Sequence, residues 1–505
     1  MKFLEKLFKS PLKILLFLIV LWVIFANFYF GVNLKHTAVA LFVITTLIFA
    51  IAIAIKKLRL KPKLKKITTK KWFYIAAIIA IFLTGTIARL SFLQYEYSPT
   101  WDPGTFYWNA EPLSQTGELV QEVDENTTIT REAYFAMYPY EMNYTGLLAI
   151  ANIIFGGGLF SVIILNILLD ILGAALTFLI MKNLLPKQKW PPLIAAAIYF
   201  LNPFNIVFSA LSLPIIAVNT IIILVIYVVI KFLQKTPSGY KTWQLLAVFA
   251  GLGIILAIGN GFCPMFAIIL IAILLLVLYL FTSKIIKGKN LTIKTACACL
   301  LMLVAYFVTA QLNFSIVDHY AKIPAARNAS GWALYLGSNI DYSGKWAYDS
   351  PDQDVRTELW QKYPSDMQSV HNELSRLAIE RYQANGVAGN VQLYVNKALI
   401  ANGDQANSMY NASSLIGYEQ TQEEIVSEIA KIFTLALSVA LLINIYKNWG
   451  KGNTAVWIFL SLIIIGFFAG SLLVEVKNRY FTILLPAMIL LSVYMPSLSK
   501  KKRKP

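Results

Sequence analysis

KKLRLKPKLKKITTKK (residues 56–71), WFYIAAIIAIFLTGTIARLSF (72–92) and LQYEYSPTWDPG (93–104) follow one another without interruption. The first segment holds nine Lys or Arg and no acid, the second is an apolar run of spanning length, and the third opens an acidic, aromatic stretch. Cytoplasmic connectors of polytopic proteins are enriched in Lys and Arg, so this order reads as inside, across, outside. The rest of the chain repeats the pattern. Of its 26 acidic residues, 22 lie in 93–142 or 314–425, and most of the remainder is apolar run or basic connector. With 58% hydrophobic and 14% charged residues, the composition is that of a multi-pass helical membrane protein with two outward-facing loops.

Lys2, Lys6, Lys9 and Lys13 precede a run at 14–30 with no small-residue cleavage site after it, which predicts a retained first helix with its N-terminus inside. Further spans are expected at 37–55, 72–92, 159–182, 191–209, 214–233, 243–259, 262–283, 295–313, 426–446, 454–474 and 480–497. That makes about twelve, with both termini and every basic connector cytoplasmic, including the tail Lys500, Lys501, Lys502, Arg503 and Lys504. The run 141–155 is short and ends at Gly156-Gly157-Gly158, so it reads as an interfacial helix along the outer surface. Four regions result: 1–71, two N-terminal helices and a basic connector; 72–313, a core whose first outer loop is 93–158; 314–425, a small, mainly helical outer domain; and 426–505, the last helices and tail. In the second loop, Ser365 or Asp366 can cap a helix running to Asn385-Gly386, with another over Val391–Ile400 ending near Gly403.

The net charge of +18 sits beside spans, where it orients the chain and meets anionic lipid, so nucleic-acid binding is not expected. Cys263, Cys297 and Cys299 all lie in apolar runs and support neither disulfides nor a thiolate metal site. No cytoplasmic connector has room for a nucleotide-binding unit, and no Walker or dinucleotide fingerprint occurs. His36, His319 and His371 have no metal-ligand spacing.

Three features carry chemistry. Glu96, Trp101, Asp102, Tyr107 and Trp108 hold a carboxylate among rings near the outer leaflet, which suits a base acting on a sugar; an interfacial aromatic belt with a turn at Asp102-Pro103-Gly104 is the alternative. Glu475, Lys477, Arg479 and Tyr480 crowd one short outer turn that could clamp a lipid phosphate or be a solvated turn, and Arg89 could share the phosphate or snorkel. Asp170 lies mid-span with Asn166 on the same face, and Asn202, Asn205 and Asn219 are candidate interhelical partners.

In order, these segments resemble the multi-pass glycosyltransferases of the GT-C fold, the class that includes protein O-mannosyltransferases and the aminoarabinose transferase of lipid A, and among them the polyprenyl-phosphate-sugar enzymes of Gram-positive bacteria. The resemblance rests on Trp101-Asp102-Pro103-Gly104, on Tyr138-Pro139-Tyr140-Glu141-Met142-Asn143, on Phe155-Gly156, on Trp332–Trp346 and Lys397–Asp404, and on Glu475 with Arg479-Tyr480 before Pro486. It implies transfer from an undecaprenyl-phosphate sugar to a cell-wall or surface glycan, or a protein, outside the cell membrane. It makes Asp102 the base of an inverting displacement and gives Arg479, Lys477 and Arg89 to the donor phosphate. Glu96, Trp101, Tyr107, Tyr138, Asn143, Glu475 and Tyr480 then line the substrate site. Two departures matter: the first two helices are extra, and residue 104 is Gly where an acidic partner for Asp102 would help hold a divalent metal, so no cofactor is expected unless Glu96 or Glu111 completes a site. A lipid-linked-glycan flippase, a noncatalytic wall-assembly scaffold and a polymerase or ligase using diphosphate-linked oligosaccharides are the competing readings; a carrier would need a polar path through the bundle, whereas polar residues here gather at the outer surface.

Overall fold

The computed structural model describes residues 2–30, 71–95, 97–119, 130–235, 239–283, 285–286, 289–403 and 420–496. The expected span 37–55, the connector 56–70, Glu96 and the tail from Lys500 to Lys504 lie outside the described residues. Every regular element among the described residues is helical. Eight helices are long and apolar enough to cross a membrane: Ser10–Tyr29, Tyr74–Gln94, Gly158–Leu184, Ile215–Lys235, Thr242–Asn260, Asn290–Ala321, Gln420–Asn448 and Thr454–Leu473. Of three shorter apolar helices, Trp190–Phe200 and Phe266–Thr282 lie among them in sequence and Asn478–Val493 follows the last.

The expected runs at 191–209 and 480–497 are broken rather than continuous. Asn202 accepts from the Phe204 amide and caps a new helix, Pro203–Phe208, in which Pro203 is the first residue and cannot extend the preceding one. The last run opens as a 3-10 helix, Asn478–Leu484, before turning into the α-helix Leu485–Val493. The run expected at 295–313 is longer, Lys289–Ala321, and carries the chain well past the apolar zone into the second acidic loop.

Helix Lys2–Tyr29 packs against Met367–Gly403 and Gln420–Asn448. Asn27 Nδ2 donates to the Asn402 carbonyl at 2.9 Å, and a Cβ on Gly403 would strike the Ala26 carbonyl. The N-terminal helix is therefore part of the bundle core.

The two acidic loops share a core of their own. Phe135, Met137, Tyr138 and Met142 from the first are buried with Trp332, Leu336, Trp360, Val370 and Leu374 from the second. Helix Met367–Gly403 begins where Asp366 accepts from the Ser369 amide at 3.0 Å, and it breaks at Gly386, whose φ of 63° and ψ of −174° are not helical. His371 on this helix faces the Met137 carbonyl through Nε2 at 2.9 Å and accepts the Trp332 amide at Nδ1, which makes it a neutral buried imidazole bridging both loops.

Helix Pro139–Phe155 runs alongside Trp101–Thr116. The Phe106 and Tyr144 rings meet edge-on at 5.2 Å, and Ala110 packs with Leu148 and Ala149. Contacts advance in the same direction along both helices, so their first turns lie side by side. Ile150, Ile153 and Ile154 remain exposed on the outer face of Pro139–Phe155, an apolar edge suited to lipid.

Candidate active site

Asp102 stands in the first turn of Trp101–Thr116, where the unpaired amides of a helix N-terminus favour an anion. Its placement is over-determined. Trp101 is held at φ 57°, a left-handed conformation unusual for a bulky residue, and its exposed ring meets Trp346 of the second loop edge-on at 5.3 Å. Gly104 lets the turn close on itself, since a Cβ there would lie 2.7 Å from the Pro99 carbonyl oxygen. Trp108 Nε1 donates to that same carbonyl at 3.0 Å. Ser212 donates to the Pro103 carbonyl at 2.7 Å and lies 2.8 Å from the Tyr97 hydroxyl, tying the loop to the break between two membrane helices.

The turn after Thr454–Leu473 is fixed from the opposite side. The Glu475 amide donates to the Ala333 carbonyl at 2.6 Å and the Val476 amide to the Gly344 carbonyl at 2.9 Å. Gly337 permits this approach, because a Cβ there would lie 2.6 Å from the Val474 carbonyl carbon. Lys477 and Arg479 are thereby presented to Asp102.

Arg479 forms an ion pair with Asp102 Oδ2, and Lys477 Nζ lies 3.4 Å from the same oxygen and 3.5 Å from Glu475 Oε2. The side chains of Asp102, Lys477 and Arg479 are 34%, 29% and 26% exposed, so the cluster is open to an incoming ligand while Glu475 behind it is buried. Burial works to raise the Asp102 pKa, but the Lys477 and Arg479 charges outweigh it and hold the carboxylate well below its usual range. Burial works to lower the two cations, and Asp102 reverses this and raises both. Glu475 is pushed up by burial, with Lys477 acting against it.

Two further ionisable groups adjoin the cluster. Glu141, in the first turn of Pro139–Phe155, is buried; burial and then the Asp102 charge push its pKa up to about 8. Lys397, fully buried, donates to the Gly337 carbonyl at 3.0 Å, and burial lowers its pKa to about 7 against the pull of Glu475. Neither was singled out from the sequence as a site residue. Glu141 sits inside the quoted segment Tyr138–Asn143 and Lys397 opens the segment 397–404, but a buried charge has no signature in a single sequence.

Of the residues expected at the site, Asp102, Lys477, Arg479 and Glu475 come together. Tyr480 follows Arg479 in the 3-10 helix. Tyr107 meets Tyr97 at 5.4 Å and Trp108 at 4.8 Å, behind Asp102 on the same helix. Tyr138 is buried in the core shared by the two acidic loops, beside Tyr134 and His371. Asn143 lies against Gly261, close to Asn313. Arg89 is a correction: it is fully buried and paired with Asp170, and it also donates to the carbonyls of Gly85 and Phe200, both at 2.8 Å. Those contacts occupy the guanidinium inside the bundle and take it out of the phosphate set. Asp170 in turn accepts from Asn205 at 2.7 Å, while Asn166 donates to the carbonyls of Ser209 and Leu211. Among the described residues no group of three or more His, Cys, Asp or Glu side chains is placed to hold a metal ion.

No family model and no curated protein matches the chain. A solved structure, that of ArnT from Cupriavidus metallidurans bound to undecaprenyl phosphate, is 13% identical and aligns over 84% of this chain and 78% of that one, at a TM-score of 0.32. A likeness that distant decides nothing about activity.

Proposed function

We propose that this protein is a GT-C-type membrane glycosyltransferase of the cell membrane, moving one sugar from an undecaprenyl-phosphate carrier to an extracellular glycan or protein acceptor. The observation that carries the reading is the partly open ion cluster in which two cations, Lys477 and Arg479, converge on one carboxylate oxygen of Asp102 at the ends of apolar helices. Two partly exposed cations converging on one point are what a phosphate group requires, and an Arg can offer it two parallel N–H donors. In the resting site Asp102 supplies the negative charge.

The arrangement gives Asp102 two successive tasks. Paired with both cations it is too weak a base to accept a hydroxyl proton near neutrality. When the donor phosphate takes Arg479 and Lys477, those charges turn to the phosphate oxygens and the Asp102 pKa rises toward its ordinary value. The acceptor hydroxyl then passes its proton to Asp102 as its oxygen forms the bond to the anomeric carbon. The bond from that carbon to the phosphate oxygen breaks, and polyprenyl phosphate leaves with the electron pair, its charge stabilised by Arg479 and Lys477. Attack opposite the leaving group inverts the anomeric centre. Donor binding thus activates the base, which keeps the site quiet in the absence of carrier.

Arg479→Ala tests the phosphate assignment in a reconstituted transfer assay. The donor KM is expected to rise about 10- to 100-fold, the worth of one charge-assisted contact, with a smaller loss of kcat. A loss confined to kcat at saturating donor contradicts the assignment.

A further inference from the structure

Asp102 and Glu141 occupy the first turns of two parallel helices, and their surroundings are unequal. Asp102 takes Arg479 and Lys477, and Glu475 takes Lys477 from behind. Glu141 has no cation paired with it. Tyr134 donates to its Oε1 at a long 3.4 Å, and its Oε2 is buried with no hydrogen-bond partner among the described residues. Lys477 and Arg479, both held by Asp102, favour the charged form of Glu141, but less than burial and the Asp102 charge oppose it, and Arg356 interacts with Tyr138 on the same turn. Tyr138 and Tyr140 on the same turn are neutral phenols, and the neighbouring helices Gly158–Leu184 and Lys289–Ala321 bring the amides Asn166, beside Tyr144, and Asn313, beside Asn143. A buried carboxyl beside an ionised one, without a cation of its own, keeps its proton. That proton leaves one buried O–H without an acceptor, a deficit a bound ligand can make good.

We propose that Glu141 is a further donor-binding residue of the proposed transferase site: it is protonated at rest and gives its O–H to an oxygen of the lipid-linked phosphosugar, so that Asp102 and Glu141 form an unequally protonated pair. The proposal rests on the donor reading above. Ionising Glu141 removes the donor and adds a negative charge where the phosphate binds, so carrier affinity falls as pH rises through the Glu141 transition near 8.

The test uses full-length protein in nanodiscs, with polyprenyl methyl phosphate as probe, a phosphodiester whose single charge does not titrate in this range. Wild type is expected to lose about tenfold in affinity across the step, and Glu141→Gln, an uncharged donor, to lack it while binding within about threefold of the neutral wild type. Glu141→Ala should bind about tenfold more weakly at neutral pH. A Gln variant that binds as poorly as Ala, or a wild type with no step that Gln removes, overturns the proposal. Infrared difference spectra give a readout independent of the ligand. A protonated-carboxyl band present at neutral pH in wild type, missing from Glu141→Gln and lost near pH 8 is expected, and its absence overturns the proposal whatever the donor. A titrating band with no phosphodiester binding at any pH overturns the donor reading, and with it the hydrogen bond built on it, but leaves the proton on Glu141.

Discussion

Arg89 and Asp170 show how one residue type serves two purposes in this chain. Arg479 holds its charge at a partly open site, whereas Arg89 is fully buried and its two terminal nitrogens are held by Asp170 and two carbonyls. Breaking a buried ion pair from one side leaves an uncompensated charge and costs roughly 3–5 kcal/mol, whereas replacing both partners by apolar side chains is close to neutral. Asp170→Leu or Arg89→Met alone should therefore sharply reduce folded protein recovered in detergent, and the double substitution should restore it with the lipid-carrier affinity unchanged. A double variant that folds but no longer binds carrier would return Arg89 to the phosphate site. Asp102 stood out in the sequence because aromatic residues surround it, and Arg479 because charges are rare in a short turn between apolar runs. Arg89 stood out as a charge near the end of an apolar run, and nothing in the sequence near it revealed that its partner lies 81 positions away.

At the level of elements, the spans that were legible are those with unbroken apolar runs between basic connectors. The departures occur at Pro203 and in the 3-10 opening before Pro486, where local backbone rules override a window of hydropathy. The helix of the second loop was legible from Asp366 at its start and Gly386 at its break, both of which act within a few residues. The shared core of the two acidic loops was not legible, because His371 meets Met137 across 234 positions. That bridge makes a prediction. Burial lowers the His371 pKa from its ordinary 6.5 to about 4, so between those values the unfolded chain binds a proton that the folded chain refuses. The contribution is complete above pH 6.5 and lost as pH falls toward 4, on the order of 3 kcal/mol in all. The thermal midpoint of wild type should thus fall more steeply on acidification than that of His371→Phe, whose own stability is lower at neutral pH. Parallel pH profiles would show that the imidazole is not held neutral by this packing.

The molecule as a whole gathers its chemistry at one end of an apolar bundle. Lys477 and Arg479 enter from the turn between the last membrane helices, Asp102 and Glu141 from the first turns of two paired helices, and Lys397 from the second loop, so four segments far apart in sequence build one site. Long apolar helices beneath a phosphate-sized cation pair are the arrangement that the proposed lipid-linked donor would use. The most direct test is release of polyprenyl phosphate by reconstituted protein supplied with a panel of polyprenyl-monophosphate hexoses and crude wall acceptor, for wild type and Asp102→Asn. The account predicts acceptor-dependent release by wild type and a loss of at least about a hundredfold in Asp102→Asn, with donor binding retained; equal release by the two proteins, or none from wild type with any donor, would contradict it.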